Sequence, residues 1–229
     1  MNDIPAGRQD AAPHDPPPDL PHDLHEWMAS HLDPLEEGEP ADGGPHRSDF
    51  DLNPEQAPDT HPLKPAAVLV GLVQREAGLS VILTRRSDTL RSHTGQIALP
   101  GGRRDPGESA WQTALREAEE EIGLHPSFVS LAGLSTPYRT GTGFLITPVV
   151  GFVRAGFTLT ANPDEVADIF ETPFGFLMDP RNHEEHEREL PTGETRRFYA
   201  MTHDDRFIWG ATAGMLRALY DRLYGAAVA

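Results

Sequence analysis

Apolar and polar positions change rhythm several times along the chain, and each change marks an element. Ala66-Ala67-Val68-Leu69-Val70-Gly71-Leu72-Val73 is an almost unbroken apolar run and predicts a buried strand. Leu79-Ser80-Val81-Ile82-Leu83-Thr84 pairs with it across a turn containing Gly78. A polar loop with Gly95 leads to a short strand, Gln96-Ile97-Ala98-Leu99, which Pro100-Gly101-Gly102 ends. Between Ser109 and Leu124 the period becomes helical: Leu115, Ala118 and Ile122 recur at i, i+3 and i+7, with Trp111 near one end. Glu108-Ser109 suits the helix entry and Gly123 its stop. Further strands are expected at 128–134, 144–153 and 165–170. The run 196–208 is expected to form a hairpin with 186–190 around Pro191-Thr192-Gly193. A last amphipathic helix covers about 211–224, with Met215, Leu216, Leu219, Tyr220 and Leu223 on one side. There are no internal repeats, and the irregular interleaving predicts an α/β fold with a mixed sheet and helices on both faces.

The first 62 residues break this picture. They hold 15 Asp+Glu, 2 Lys+Arg and 12 of the chain's 22 prolines, against a net charge of −17 for all 229 residues. A stretch so acidic and so poor in apolar residues cannot bury enough surface to offset the entropy of ordering. Residues 1–62 are therefore read as a mostly disordered leader, and 63–229 as the folded domain. One island, Leu24, Trp27, Met28 and Leu32, has helical spacing within 24–33 before Pro34 and reads as a short helix docking on the domain, with a partner-binding motif as the alternative. The chain has no cysteine, which excludes a disulfide framework, a thiol nucleophile, a zinc ribbon and an iron–sulfur site. The amino terminus carries no secretory pattern, and no apolar run approaches the ~20 residues of a spanning helix. A soluble cytoplasmic protein with no membrane partner is expected. The acidic balance argues against a nucleic-acid partner, which would require Lys and Arg to neutralise phosphates.

The helix at 109–124 carries the chemistry. Glu117, Glu120 and Glu121 sit at i, i+3 and i+4, so three carboxylates share a face. Like charges at that spacing cost helix stability unless a cation sits among them, and a hard divalent metal takes carboxylate oxygens readily.

Spacing around the glutamates is more telling still. Gly102, five residues, Glu108, seven residues, then Arg116-Glu117-Ala118-Glu119-Glu120-Glu121-Ile122-Gly123-Leu124 resembles the Nudix box, G-x5-E-x7-R-E-U-x-E-E-x-G-U with U aliphatic. Seven fixed positions match, which at average residue usage occurs by chance on the order of 10⁻⁸ per register. The resemblance implies a Nudix α/β/α sandwich with a mixed sheet, and hydrolysis of a nucleoside diphosphate linked to another group. It also implies metal ligands at Glu117 and Glu121, with Glu120 as a third ligand or an aid to water activation. Arg116 would orient the glutamates, and Glu108 would tie the loop to the helix. Mg²⁺ or Mn²⁺ is the implied cofactor. Such a metal is needed because a diphosphate repels hydroxide until its oxygens are neutralised. Gly101 and Gly102 would let the backbone approach the phosphates.

A second signature precedes the box. Ile82-Leu83-Thr84-Arg85-Arg86-Ser87, three residues, Arg91, three residues, Gly95, three residues, Leu99-Pro100-Gly101-Gly102 resembles the pattern of the coenzyme A pyrophosphatase branch, L-L-T-x-R-S-x3-R-x3-G-x3-F-P-G-G. Ile82 and Leu99 depart from it. Arg85, Arg86 and Arg91 suit a substrate with an extra 3′-phosphate, since guanidinium forks bind phosphate bidentately. Arg103 and Arg104 are further phosphate-contact candidates. Downstream, the segment from Asn162 resembles the family region that supplies another glutamate, making Glu165 the candidate base or ligand. Trp209 is read as core, and His183 and His186 as hairpin surface. The expected reaction is hydrolysis of coenzyme A or its thioesters to 4′-phosphopantetheine and adenosine 3′,5′-bisphosphate. Alternatives are a Nudix hydrolase of ADP-ribose or a dinucleotide, and a non-catalytic nucleotide sensor. The sequence leaves the oligomeric state open, a homodimer included.

Overall fold

The apolar run at 66–73 lies at the centre of the fold. The computed structural model describes residues 23–35, 46–58, 62–87, 95–190 and 193–225, so Arg91 lies outside the described residues. In chain order the elements are α1 (Leu24–His31), β1 (Arg47–Ser48), β2 (Lys64–Arg75), β3 (Gly78–Arg86), β4 (Ile97–Ala98), β5 (Gly101–Arg103) and α2 (Ala110–Ile122). There follow β6 (Val129–Leu134), β7 (Tyr138–Arg139), β8 (Phe144–Val153), β9 (Val166–Pro173), α3 (Phe174–Leu177), β10 (Glu184–Glu189), β11 (Thr195–His203), β12 (Arg206–Trp209) and α4 (Ala211–Tyr224). Strand β2 pairs in parallel with β8, from Lys64↔Phe144 to Val73↔Val153, and antiparallel with β3 and β5. The main sheet is therefore mixed, in the order β1-β7-β8-β2-β3-β4, and β10, β11 and β12 form a smaller antiparallel sheet.

Alternation along β2 explains its unbroken apolar sequence, because a strand covered on both faces has no polar side. Ala67, Leu69 and Val73 join Ala114, Ala118 and Ile122 of α2 in one core. Val68, Val70 and Leu72 join Met215, Leu216 and Leu219 of α4, and Met28 of α1, in the other. Helices thus cover both faces, the architecture expected of the Nudix sandwich.

Helix α2 is fixed at both ends by local chemistry. The Ser109 hydroxyl accepts from the Gln112 N–H at 3.3 Å, and the Gln112 side chain accepts from the Ser109 N–H at 2.8 Å, a capping box. Gly123 ends the helix at φ 67°, a conformation that favours glycine. The buried stripe differs slightly from the one expected. Ala110, Ala114, Ala118 and Ile122 face the sheet, while Leu115 is only half-buried. The helix approaches through alanines, which moves the longer side chain to the edge of the contact.

Two further expectations are corrected here. His183 and His186 are buried, not hairpin surface. The ring of His186 lies 5.9 Å from Phe198 and 5.5 Å from Phe207. His183 packs edge-on against Tyr220 of α4 and hydrogen-bonds the Leu177 carbonyl through Nε2 at 2.7 Å. A positive-φ turn at Asp204 folds 196–208 into two strands, and the added strand β12 supplies Phe207. Trp209 is half-buried on a cavity wall rather than in the core.

The described leader segments lie against the domain. Asp33 bridges Leu134, with N···O distances of 2.9 and 2.8 Å, and pairs with Arg222 of α4. Among the described residues no helix is long and apolar enough to cross a membrane.

Candidate active site

Strand β5 and helix α2 bring the signature residues together. Arg116 is the hub. Its Nε donates to Glu108 Oε1 at 2.7 Å and its Nη2 to Glu108 Oε2 at 3.0 Å, a two-pronged grip. Its Nη1 donates to Glu117 Oε1 at 2.8 Å and to Glu120 Oε2 at 3.2 Å, and Nη2 also reaches the Arg103 carbonyl at 3.1 Å. One guanidinium therefore holds three carboxylates and the glycine strand in a fixed relation. This grip on Arg116 holds the Glu108 carboxyl down at about 2, against the cost of partial burial, with help from the Thr113 hydroxyl at 2.7 Å. Glu108, first among its neighbours, raises the Arg116 guanidinium above its ordinary range in return.

Glu121 occupies a different environment. It is 4% exposed, and its Oε2 accepts from the Gly101 N–H at 3.2 Å. Burial pushes this carboxyl up to about 7, eased by the Gly101 N–H and Arg86 and reinforced by Glu165 and Glu117. Glu117 is also raised by burial first, with Arg116 opposing and Glu120 and Glu165 adding repulsion. Glu165, just before β9, is therefore within electrostatic reach of both.

Glycines make the close approach feasible. A Cβ on Gly102 would stand 2.6 Å from the Glu117 carboxylate, and one on Gly101 would stand 2.3 Å from the Ala67 carbonyl. Gly101 preserves the pairing of β5 with β2, and Gly102 leaves room for the Glu117 carboxylate.

The donor set fits a hard divalent cation. Glu117, Glu120 and Glu121 each commit one oxygen to Arg116 or Gly101 and keep the other without a hydrogen bond among the described residues. Repulsion among Glu117, Glu121 and Glu165 is the kind a cation removes. Among the described residues no three acidic or histidine side chains are preassembled as a closed metal cage.

The arginines separate. Arg86 faces Glu121, on the α2 side of the sheet with Ile82. Strand alternation sends Arg85 to the opposite side with Val81 and Leu83. Glu120 is the most exposed of the glutamates, its side chain 56% accessible. Thr113 and the Arg103 carbonyl were missed in the sequence. Thr113 had a readable signal, its place one turn after the Ser109 cap, where its hydroxyl reaches Glu108.

The site is an Arg-organised carboxylate helix on a mixed α/β sheet. The NUDIX domain family model matches residues 62–198. The chain is 41% identical over 156 residues to the Nudix hydrolase NudL of Yersinia enterocolitica, covering 67% of this chain and 78% of the relative. NudL of Yersinia pestis strain Pestoides F matches at the same identity over 77% of its length. Among solved structures, a C. elegans Ap4A hydrolase aligns at 18% identity and TM-score 0.43, covering 48% of this chain and 80% of that one. A MutT/nudix family protein from Enterococcus faecalis aligns at 18% and 0.44, covering 77% and 66%. Similarity at that level carries no residue-level correspondence. The chain belongs to the Nudix hydrolase family, pyrophosphohydrolases that act on nucleoside diphosphate derivatives and generally use divalent metal ions.

Proposed function

We propose that this chain hydrolyses the diphosphate of coenzyme A or acyl-coenzyme A, giving 4′-phosphopantetheine and adenosine 3′,5′-bisphosphate. The observation that carries the chemistry is the Arg116 hub, which holds Glu108, Glu117 and Glu120 while Glu121 lies buried against the Gly101 N–H. Glu117 and Glu121, with Glu120 as a third donor, would hold Mg²⁺ or Mn²⁺. When bound, that ion supplies charge neutralisation for the diphosphate and orientation of the attacking water. Arg116 fixes the carboxylates before substrate arrives, so little reorganisation is left for the reaction. Arg86, within electrostatic reach of Glu121, would meet a phosphate oxygen of the substrate. Water attacks one phosphorus, the bridging P–O bond breaks, and a carboxylate takes the water's proton. Glu165 is the candidate base, since it is within electrostatic reach of the buried pair and no ion pair among the described residues holds its side chain, whereas Glu120 shares an oxygen with Arg116. Coenzyme A as the substrate is supported by the motif running from Ile82 to Gly102.

Turnover of coenzyme A, 3′-dephospho-coenzyme A and ADP-ribose, measured side by side with Mg²⁺ or Mn²⁺, tests this reading. A higher kcat/KM for coenzyme A than for the other two is expected. Equal rates on coenzyme A and its dephospho form, or cleavage of ADP-ribose alone, would contradict it. Metal-dependent ligand binding without any turnover would point to a sensor instead.

A further inference from the structure

We propose that a cavity walled by the β10–β12 sheet, the segment Arg47–Leu52 and the start of α4 is a site for a nucleoside carrying a 3′-phosphomonoester. Its phosphate would lie between Arg188 and Arg196 and its ring against Trp209. The ligand would be the distal end of the substrate proposed above, and in that respect the inference rests on that reading. The cavity measures about 400 Å³, within the ~300–1,000 Å³ usual for small-molecule sites.

Charge is the first argument. Arg188 of β10 and Arg196 of β11 are register partners, so both guanidiniums project from one face of the small sheet. Like charges directly opposite one another are unfavourable on their own. A phosphate between them would engage two guanidinium forks and remove the repulsion. The nearby carboxylates are already committed. Asp49 accepts from the Tyr138 hydroxyl at 3.0 Å and the Gly141 N–H at 2.7 Å, and Asp51 pairs with Arg47 at 2.5 Å. Arg196 lies 4.0 Å from Asp49 and 4.8 Å above the Phe50 ring, which holds the guanidinium without neutralising it fully. Arg188 is exposed and makes no ion pair or hydrogen bond among the described residues.

Shape is the second argument. Phe198 follows Arg196 on the same face, and its ring lies 5.6 Å from that of Trp209. A planar base has an aromatic surface to rest on beside the arginines. No side chain caps α4 at Gly210, so the positive end of that helix also opens toward the cavity.

Continuity with the carboxylates is the third. Ala98 forms part of the wall, and three residues later the Gly101 N–H holds Glu121. Three residues span at most about 10 Å, so the near wall of the cavity lies within that distance of the backbone N–H that holds Glu121. Arg86 is at the carboxylates, whereas Arg85 lies on the α4 side of the sheet, the side on which this cavity opens.

Calorimetry on the full chain with adenosine 3′,5′-bisphosphate and adenosine 5′-monophosphate tests the site independently of turnover. The bisphosphate should bind more tightly, and Arg188→Ala should weaken it about 10-fold or more and abolish the preference, with Arg188→Lys intermediate. In kinetics, Arg188→Ala should raise KM for coenzyme A with kcat unchanged, and leave KM for 3′-dephospho-coenzyme A unaltered. Bisphosphate binding unchanged in Arg188→Ala, or equal weakening of both nucleotides, would overturn the proposal. Arg188-dependent binding without cleavage of coenzyme A would overturn the substrate reading and leave the cavity site standing.

Discussion

The carboxylate site gathers its side chains between Gly101 and Glu121, apart from Glu165 and Arg86, whereas the cavity draws its walls from segments as distant as Arg47 and Gly214. The charge logic is also reversed. Around α2 one guanidinium is shared by three carboxylates, a surplus of negative charge that calls for a cation. In the cavity, arginines outnumber the acids free to meet them, which calls for an anion. A ligand with a metal-bound diphosphate at one end and a phosphomonoester at the other satisfies both. The contrast also separates two kinds of residue at the first site: those that hold the fold and those that hold the carboxylates.

The largest effect expected short of removing a carboxylate is from Arg116→Lys. Lysine has no fork to keep Glu108, Glu117 and Glu120 in register, so kcat/KM should fall about 10–100-fold, the usual scale for residues that orient metal ligands. Thermal unfolding should change little, because these pairs are partly solvated and contribute only modestly to stability. Near-normal turnover would remove Arg116 from the account.

Gly101→Ala and Gly102→Ala should divide fold from chemistry. The first drives a Cβ into the Ala67 carbonyl and should cost about 1–3 kcal/mol of stability, read by urea unfolding. The second meets only the end of the Glu117 side chain and should lower activity with an unchanged unfolding midpoint. Identical behaviour of the two variants would break the distinction.

Asp49→Ala probes the other region. It strips acceptors from the Tyr138 hydroxyl and the Gly141 N–H, at about 1 kcal/mol or somewhat more for a partly exposed carboxylate. Removing the negative charge 4.0 Å from Arg196 should then leave adenosine 3′,5′-bisphosphate bound at least as tightly in calorimetry, while kcat holds.

The smallest effect concerns pH. Burial lowers the pKa of His183, with Arg217 also lowering it and the Leu177 carbonyl, Asp221 and Asp179 opposing. The unfolded chain therefore binds this proton more readily than the folded one. Stability from this residue is complete above the ordinary value of 6.5 and declines as pH falls below it. His183→Gln, which keeps a donor for the Leu177 carbonyl, should flatten the urea-midpoint profile between pH 8 and 5.

The α2 region was readable because its logic is local. Capping, glycine stop and carboxylate spacing lie within one helix and the turn before it, and the strands around it alternate as their sequences suggest. Arg85 and Arg86 show where a linear motif stops being informative, since adjacent residues on a strand face opposite sides. His183 and His186 do not show their burial in the sequence because it depends on β12 and α4, which the hairpin sequence does not contain. The cavity was invisible for the same reason: nothing in Arg188 or Arg196 separately marks a pair, and only the register of β10 against β11 sets them side by side.

The most direct test of the central claim is a mass-resolved assay of coenzyme A with Mg²⁺ or Mn²⁺, run on the native chain and on Glu121→Gln. The account predicts 4′-phosphopantetheine and adenosine 3′,5′-bisphosphate from the native chain. The folded variant should be slower by about 10²–10³-fold, the scale expected when charge stabilisation at a reacting centre is lost. Equal product from both proteins would contradict the assignment of the buried carboxylate to the catalytic metal.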